Sequence, residues 1–533
     1  MTKTQEGLLK LLKEIDEICR ANDLKFYLAG GTFIGAVRHA GFLPWDDDAD
    51  IHMNREDYEK FCRIVEETRE NRTVVSRDTH KDYPQIQPRY QALDKTTILR
   101  STFATNTPQG QFVDIFVLDT ATEREEDQQK LRDAFSMYCE LTTELFTQSA
   151  MRSDEFFHTY TGYRFLSRIF GKEWAYAKWR KRFRSMLSPK SEYYHILSAN
   201  VARPFQKKVN FGQPRYVPFE DTYLPVAERA EEVLFTRYGE CWYEIPEIDE
   251  VVTHVFVEDQ ELPYTLYQES INQHIDTVSF MEDCRRRKNR WFKILPRRKD
   301  VNPQTYQLKG LPIVYEIEDF IEKNQIDLKA WIKDKRYQDL EALFSPYFAF
   351  IASDNSKRWN AVPKMKSELL YAALYPKVMQ GNFGIARKMI KNLQAEETLT
   401  SDMALLLEYA EATGKILADL YTFKDYEDAW QVVEKYADRM PDNPYMARSR
   451  IKLLLLGMDP DAQITDIKEE IEEKLKIFAE DPELLKYKAD LCWQQGQKEE
   501  SVFIYRSVRD LIKNGIERMD LIDKLKTVEE VTC

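Results

Sequence analysis

The feature that most constrains this 533-residue chain is a change of pattern near residue 310. Before that point, short strand-like runs alternate with helical patterns, whereas beyond it helical patterns follow one another and strand signals nearly vanish. A chain of this length also exceeds one ordinary hydrophobic core, so several domains are expected. The sequence therefore predicts an α+β domain with a small mixed sheet and helices, followed by an all-α domain.

The predicted domain boundaries follow composition as well as periodicity. We assign residues 1–283 to the α+β domain, 284–309 to a basic linker and 310–533 to the all-α domain. The linker is predicted because Cys284–Lys299 contains nine basic residues and no acidic ones.

Two turn signals suggest how the all-α domain is organised. Asp442-Asn443-Pro444 and Asp481-Pro482-Glu483 lie 39 residues apart between helical runs. That spacing is typical of tetratricopeptide (TPR)-like repeats, although the period is irregular and no full consensus is present. Degenerate TPR-like repeats and a plain helical bundle therefore both stay open.

Overall composition excludes several classes of protein. A net charge of −13 argues against a general nucleic-acid binder, because phosphate backbones require clustered positive charge. The seven cysteines are scattered without metal-like spacing, which fits a reducing compartment. Acidic residues interrupt the N-terminal leucines, so no signal peptide is expected, and no apolar run approaches the roughly 20 residues that cross a bilayer. A cytoplasmic protein is expected.

Several N-terminal elements can be placed from local signals. Apolar residues recur at helical spacing from Leu8 to Cys19, which predicts an amphipathic helix. Asn54 is a predicted N-cap for a helix from Arg55 to about Thr68. The run Gln111–Leu118 is apolar on both faces and predicts a buried strand.

Three aspartates form a candidate metal site. Asp48 and Asp50 lie two apart on a predicted strand, so both carboxylates should point to the same side. Asp114 stands alone in the apolar strand, where a charge is costly unless an ion or hydrogen bonds compensate it. Hard cations prefer carboxylate oxygens, so we predict that Asp48, Asp50 and Asp114 bind Mg²⁺ or Mn²⁺.

A glycine pair lies upstream of the acidic run. Gly30-Gly31 occupies a predicted strand-to-helix junction, where backbone amides can approach a phosphate, and Thr32 is a predicted cap for the helix Phe33–His39. Paired glycines are usually only a turn, and acidic runs are usually solvated loops. Their combination with an isolated strand aspartate nevertheless favours one metal-phosphate site.

These residues carry a resemblance to a known family. The segment Gly30–Ile51, which reads GGTFIGAVRHAGFLPWDDDADI, resembles the signature of the LicD family, relatives of fukutin within the nucleotidyltransferase-fold superfamily. Further similarity, over roughly residues 5 to 250, lies in Val113-Asp114-Ile115-Phe116, Pro218-Phe219-Glu220, Leu224-Pro225-Val226 and Tyr238-Gly239.

The resemblance implies an activity. Its best-known members transfer phosphocholine from CDP-choline to a sugar hydroxyl of a glycan, so a CDP-linked alcohol phosphate donor and a lipid-linked or polymeric glycan or teichoic acid precursor are implied here. Asp48 and Asp50 match the metal-binding pair, and Asp114 fits the third acidic position and is a candidate general base. We expect Asp46 and Asp47 to support this site rather than to bind the metal.

Candidate phosphate contacts lie in and around the motif. Gly30, Gly31 and Thr32 are predicted to bind phosphate, together with Arg38 and Arg89, because guanidinium groups bind phosphate oxygens in bidentate fashion. Arg100 is a further candidate. Each arginine also has the ordinary alternative of a surface side chain.

Two basic segments contain aromatic residues and predict contact with a membrane. Lys172–Arg184 carries six basic residues and one acidic one around aromatic side chains, and Cys284–Lys299 is similar. They suggest peripheral docking to anionic lipid at the inner face of the cell membrane. The alternative is a solvated helix face whose aromatic residues pack inward.

Two further functions stay open. The chain could be a nucleotidyltransferase that moves NMP from a nucleoside triphosphate, with pyrophosphate as the second product. It could also be a non-catalytic interaction protein that uses its helical half for a protein partner or for self-association, although the intact acidic residues argue against this reading.

Overall fold

The computed structural model describes residues 1–85, 87–99, 102–121, 124, 130–131, 165–166, 169–188, 190–196, 205–246, 255–283, 286, 303–352, 363–394, 399–439 and 441–532. Arg100 and, apart from Arg286, the basic stretch Cys284–Lys299 lie outside these residues. The chain divides into two units, one formed by Met1–Arg237 with Glu247–Asp300 and the other by Tyr238–Pro246 with Val301–Cys533. The boundaries at 283 and 310 stay a prediction.

The first unit contains eleven described strands. These are β1 (Phe26–Leu28), β2 (Asp50–Asn54), β3 (Arg72–Val75), β4 (Arg89–Ala92), β5 (Thr96–Leu99), β6 (Gln111–Ala121), β7 (Tyr193–Ile196), β8 (Gln206–Lys207), β9 (Arg215–Phe219), β10 (Thr222–Val226) and β11 (Val255–Asp259). Seven form one mixed sheet in the order β1-β2-β6-β4-β3, with β7 paired to β6 and β8 to β7. Within it β2 and β6 are parallel, while β9–β10 and β5–β11 form separate antiparallel pairs.

The longer or better-bounded helices of this unit accompany these strands. They are α1 (Lys3–Ala21), α2 (Gly30–His39), α3 (Arg55–Thr68), α4 (Lys172–Met186), α5 (Lys208–Phe211), α6 (Ala230–Tyr238) and α7 (Tyr264–His274). The predicted amphipathic helix is confirmed as α1, whose apolar face is buried and packs on β6. The predicted cap of α3 is also confirmed, because the Asn54 side chain accepts a hydrogen bond from the Asp57 amide at 2.9 Å.

The central strand β6 connects the parts of the sheet. It pairs with β4 through its first residues, with β2 from Asp114 to Leu118, and with β7 through its last residues. The predicted strand Gln111–Leu118 is confirmed, and it continues to Ala121. Between Gln111 and Asp119 every side chain is buried except the half-buried Asp114. Parallel pairing with β2 therefore places this one carboxylate beside the start of β2.

The second unit is helical in its described residues, so the predicted fold class is confirmed. Its helices are α8 (Pro303–Lys323), α9 (Leu328–Lys333), α10 (Tyr337–Ala352), α11 (Ser367–Met379), α12 (Phe383–Gln394), α13 (Ser401–Ala418), α14 (Tyr426–Tyr436), α15 (Pro444–Leu455), α16 (Ile464–Ile477), α17 (Pro482–Gln494), α18 (Lys498–Val508) and α19 (Gly515–Thr532). Asn443 and Asp481 cap α15 and α17, each followed by proline at the first helical position. The choice between TPR-like repeats and a bundle stays a prediction.

The segment Tyr238–Pro246 forms part of this helical unit. Trp242 is buried, and its Nε1 donates a hydrogen bond to Thr422 Oγ1 at 3.1 Å. The Tyr243 ring packs against Tyr421 at a centroid distance of 4.4 Å, and the Ile245 amide donates to the Lys513 carbonyl at 2.8 Å. The helical core is therefore completed by residues that precede it by more than fifty positions in the sequence.

The structure also bears on the predicted membrane contact. Helix α4 covers the predicted segment, and its Trp179 and Phe183 side chains are buried, as the alternative of inward-packed aromatic residues describes. Within the described residues, no helix has both the length and the apolarity required to cross a membrane. Peripheral contact with anionic lipid stays a prediction.

Candidate active site

The candidate site begins where β2 and β6 start to pair. Asp50 and Asp114 are partners in the parallel register, and the Asp114 amide donates to the Ala49 carbonyl at 2.8 Å. The Ala29 amide donates to the Asp50 carbonyl at 2.9 Å, which joins the start of α2 to the same point. The sheet thus brings together Asp50 and Asp114, which are 64 residues apart in the sequence.

The strand assignment of Asp48 needs correction. Strand β2 begins at Asp50, so Asp48 lies in the preceding loop and the alternation of a strand does not orient its side chain. The reason is that backbone pairing to β6 begins only at Ala49 and Asp50. Asp48 remains close enough for its charge to act on Asp50.

The glycine pair makes room for carboxylates. Gly30 has a positive φ of 55°, and a Cβ there would lie 1.9 Å from Asp50 Oδ2. A Cβ on Gly31 would lie 2.4 Å from Asp46 Oδ2. Any side chain at either position would collide with an acidic group, so the pair permits both carboxylates to approach the N-terminus of α2, where the helix dipole favours negative charge.

Thr32 has a different local role from the one predicted. Helix α2 begins at Gly30 with Ala29 as its N-cap, so Thr32 lies inside the first turn rather than at the cap. Its hydroxyl is fully buried and accepts a hydrogen bond from the Asp50 amide at 3.0 Å. Thr32 therefore holds the backbone of Asp50, and its predicted contact with phosphate stays untested.

A compact acidic group lies next to this pair. Carboxylate oxygens of Asp46, Asp47 and Asp48 lie within 4.8 Å of one another, close enough to share one cation. Among the described residues, Asp48, Asp50 and Asp114 do not meet this distance criterion together. The donors are all carboxylates, so the site fits Mg²⁺ or Mn²⁺, and Asp46 and Asp47 are as well placed as Asp48 to bind it.

Electrostatics show that the acidic group is crowded. Desolvation raises the pKa of Asp50 well above its usual range, and the negative charges of Asp48, Asp114 and Asp46 raise it further, while Arg237 on α6 opposes them. Clustered carboxylates of this kind disfavour full ionisation unless a cation is present. The site is thus electrostatically suited to a positive ligand.

Arg89 lies at the site but is already engaged. It faces Asp114 in the β4–β6 register, and its Nε donates to Asp114 Oδ1 at 2.7 Å. Its guanidinium also lies over the Phe112 ring, with Cζ 3.7 Å from the centroid. Arg89 therefore orients and neutralises Asp114. A phosphate that binds Arg89, as predicted, would have to share its guanidinium with Asp114.

Arg38 lies at the far end of α2. It is buried in the last turn, eight residues after Gly30, which is about 12 Å along the helix axis. The structure therefore does not bring Arg38 to the glycine turn.

Two residues that sequence reasoning missed position the acidic loop. The Gln5 side chain, buried at the start of α1, donates to the carbonyls of Leu43 and Asp46 at 3.0 and 3.1 Å. Glu220, in the tight turn between β9 and β10, accepts a hydrogen bond from the Phe42 amide at 2.9 Å. The sequence does show a capping pattern, Thr2-x-x-Gln5, and the motif that contains Glu220. Neither pattern indicates a contact with the acidic loop.

His52, which lies next to the motif, is structural. It is buried in β2 between the rings of Phe116 and Phe211, and its Nδ1 lies 3.3 Å from the Phe116 carbonyl. Burial lowers its pKa to about 3, so the imidazole is neutral at physiological pH.

A mixed sheet with acidic residues on adjacent strands, beside a glycine turn that opens a helix, fits a nucleotidyltransferase-type domain. Comparison with known families agrees. Residues 23–159 match the model described as LicD/FKTN/FKRP, nucleotidyltransferase domain. The chain therefore carries a LicD/FKTN/FKRP nucleotidyltransferase domain in this region.

Individual relatives match over shorter stretches. The chain is 42% identical over 64 residues to the lipopolysaccharide cholinephosphotransferase LicD of Haemophilus influenzae, covering 12% of this chain and 24% of that protein. It is 41% identical over 59 residues to an uncharacterized protein of Rickettsia typhi, covering 11% and 19% of the two chains. A similar match, 44% over 51 residues, occurs with an uncharacterized protein of Rickettsia prowazekii, covering 10% and 19%. The chain thus spans less than a quarter of the length of these relatives.

Proposed function

We propose that the first unit transfers phosphocholine, or another alcohol phosphate, from a CDP-linked donor to a sugar hydroxyl of a glycan or teichoic acid precursor. The observation that carries this proposal is the register of Asp50 with Asp114, beside the acidic group of Asp46–Asp48 and the glycine turn. The name of the Haemophilus influenzae relative supports choline phosphate as the group transferred and a lipopolysaccharide as the acceptor.

The residues have distinct tasks in this reaction. Divalent cations held by the acidic group, which includes Asp48, and by the register pair Asp50 and Asp114 would neutralise the donor's diphosphate. The acceptor oxygen attacks the distal phosphorus, the bond from that phosphorus to the CMP oxygen breaks, and CMP leaves. We assign to Asp114 the removal of the hydroxyl proton, and its ion pair with Arg89 fixes the direction of the carboxylate. Thr32 and Gly30 keep Asp50 at the start of α2.

A donor panel tests the proposal. Purified protein is offered CDP-choline, CDP-ethanolamine, CDP-glycerol and CDP-ribitol with MgCl₂ and with lipopolysaccharide or teichoic acid as the acceptor, and CMP release is measured. We expect release with at least one donor, and its loss in Asp48→Asn and Asp50→Asn but not in Asp221→Asn, a matched change at an exposed carboxylate. CMP release that survives both substitutions at the site would refute the assignment.

The alternative enzyme reading has its own support. The matching family model describes a nucleotidyltransferase domain, which favours transfer of NMP from a nucleoside triphosphate. The same assay distinguishes the two reactions, because pyrophosphate is then released from a nucleoside triphosphate and no CDP-alcohol yields CMP.

The setting of the reaction is also part of the proposal. We place it in the cytoplasm, at an anionic inner membrane face that presents a lipid-linked acceptor, and we assign to the helical unit a protein partner or self-association. Co-sedimentation with phosphatidylglycerol liposomes at low salt tests the membrane contact, and absence of binding there would remove it.

A further inference from the structure

A cavity of about 580 Å³ lies in the first unit, and the acidic residues of the candidate active site do not line it. Asn54 and Leu118 line it and are register partners four residues beyond Asp50 and Asp114, about 13 Å further along the strands. Ile115, Val117 and Asp119 also line it, and strand alternation directs them to the face opposite Asp114. The cavity therefore extends further along β2 and β6 than the acidic group, whose side chains do not line it.

One wall of the cavity is aromatic. Tyr176, Trp179 and Phe183 follow one another along α4, and all three line the cavity. Trp179 stacks on Phe183 with centroids 5.2 Å apart and on Tyr176 at 6.0 Å, with interplanar angles of 15° and 22°. The volume lies within the range of roughly 300–1,000 Å³ that small-molecule sites occupy, and such walls contact the apolar faces of ligands.

The rest of the lining is rich in charge but balanced. Four arginines and four carboxylates line the cavity: Arg55, Arg77, Arg180, Arg184, Glu56, Glu59, Asp78 and Asp119. Most are joined in pairs, since Arg55 binds Asp119 through two hydrogen bonds of 2.9 and 2.7 Å. Arg180 pairs with Asp78 at 2.8 Å, and Arg184 approaches Glu59 at 3.3 Å.

This balance decides the class of ligand. An anion would have to compete with carboxylates that already hold the guanidinium groups, and a cation would lie among four arginines. The hydroxyl groups of a neutral molecule can instead accept hydrogen bonds from the remaining N–H groups of the arginines. They can also donate hydrogen bonds to carboxylate oxygens, and no ion pair has to break. Arg77 supplies one such donor, because its buried Nε has no hydrogen-bond partner within the described part of the chain.

We propose that this cavity binds a neutral sugar residue of the glycan acceptor, remote from the hydroxyl that reacts. The sugar's C–H face packs against Tyr176, the half-buried member of this aromatic wall, while its hydroxyl groups meet the paired arginines and carboxylates. Identification of this sugar as part of the acceptor rests on the proposed function. Binding at a second point on the same polymer would raise the local concentration of acceptor near the active site.

Sugar binding can be measured without catalysis. Saturation-transfer NMR is recorded for the full chain with glucose, galactose, N-acetylglucosamine and N-acetylgalactosamine. The dissociation constant of each sugar that binds is then measured by titration. Arg180→Gln and Asp78→Asn change half-exposed residues of the lining. Arg182→Gln is the matched control, because Arg182 is exposed on the same helix and does not line the cavity.

We expect at least one sugar to bind, with affinity at least tenfold weaker in Arg180→Gln and Asp78→Asn and unchanged in Arg182→Gln and Asp50→Asn. Absence of binding by all four sugars, binding unaffected by both lining substitutions, or displacement of the sugar by phosphocholine would overturn the proposal. If the sugar binds as expected but no CDP-alcohol yields CMP, the sugar site stands and the proposed transfer reaction fails.

Discussion

Asp50 and Asp114 are register partners on parallel strands, yet their charges are compensated differently. Asp114 forms a 2.7 Å ion pair with the buried Arg89, whereas the pKa of Asp50 is raised by desolvation and by neighbouring carboxylates. One carboxylate of the pair is therefore matched by a neighbouring guanidinium, and the other lies among carboxylates. This asymmetry suits a site completed by a cation.

Substitution of the two aspartates should have opposite effects on stability. In EDTA, Asp50→Asn removes repulsion and should raise the free energy of unfolding by about 1 kcal/mol. Asp114→Asn leaves Arg89 buried without its partner and should lower it by about 3 kcal/mol. Both should reduce CMP release at least about a hundredfold. Calorimetry and the CMP assay check this, and shifts of the same sign in both variants would contradict it.

Gly30→Ala should abolish activity by displacing Asp50. The added Cβ would lie 1.9 Å from Asp50 Oδ2, and the residue would also keep a positive φ. Gly171 is a matched control, because it also has positive φ but nothing within 4 Å of an added Cβ. We expect Gly171→Ala to cost about 1–3 kcal/mol from backbone strain, because its φ of 86° and ψ of 162° are rarely adopted by residues with a side chain, with activity retained. Equal kcat/KM in the two variants would exclude the steric explanation.

Glu220→Gln should weaken the attachment of the acidic loop, although Glu220 lies outside the candidate metal site. It weakens the charge-assisted hydrogen bond that Glu220 accepts from the Phe42 amide, at a cost of about 1 kcal/mol. We expect kcat/KM to fall roughly tenfold, because misplacement of metal ligands is costly in catalysis. Asp221→Asn changes the neighbouring exposed carboxylate and should leave kcat/KM unaltered. Identical kinetics in both variants would remove Glu220 from the positioning role.

The helical unit contains a buried ionic network that predicts a pH dependence. Lys486 is fully buried and contacts Glu517 at 2.5 Å and Asp520 at 2.6 Å, while Lys452 contacts Glu517 at 2.9 Å. Burial alone would raise the pKa of Glu517, but the charges of Lys486 and Lys452 outweigh it and lower the pKa from 4.5 to about 2. The ionised carboxylate is thus favoured in the folded state.

A lowered pKa means that this stabilisation is complete above pH 4.5 and is lost as the pH falls toward 2. Glu517→Gln should therefore lower the unfolding free energy by about 3 kcal/mol at pH 7. The difference between wild type and variant should shrink as the pH decreases from 4.5 to 2. Urea unfolding of the helical unit at several pH values measures it, and a difference that stays constant would disprove the linkage.

Local signals account for the elements that the sequence predicted correctly. The burial of α1 follows from its apolar spacing, and the start of α3 follows from the Asn54 cap, because both depend on residues within four positions. The same local reasoning misplaced Thr32 as a cap and Asp48 on a strand. Thr32 instead binds the Asp50 amide across 18 residues, a contact that the spacing of residues does not encode.

The sequence by itself determined the two-part architecture, the resemblance of its motif and the identity of the acidic residues, because periodicity, caps and motif spacing are local properties of the chain. Only the tertiary structure decided that Asp114 lies beside Asp50 and pairs with Arg89, that Glu220 holds the Phe42 amide 178 residues away, and that Trp242 completes the helical core. These contacts join residues far apart in the chain, so they depend on strand register and on how buried surfaces pack together.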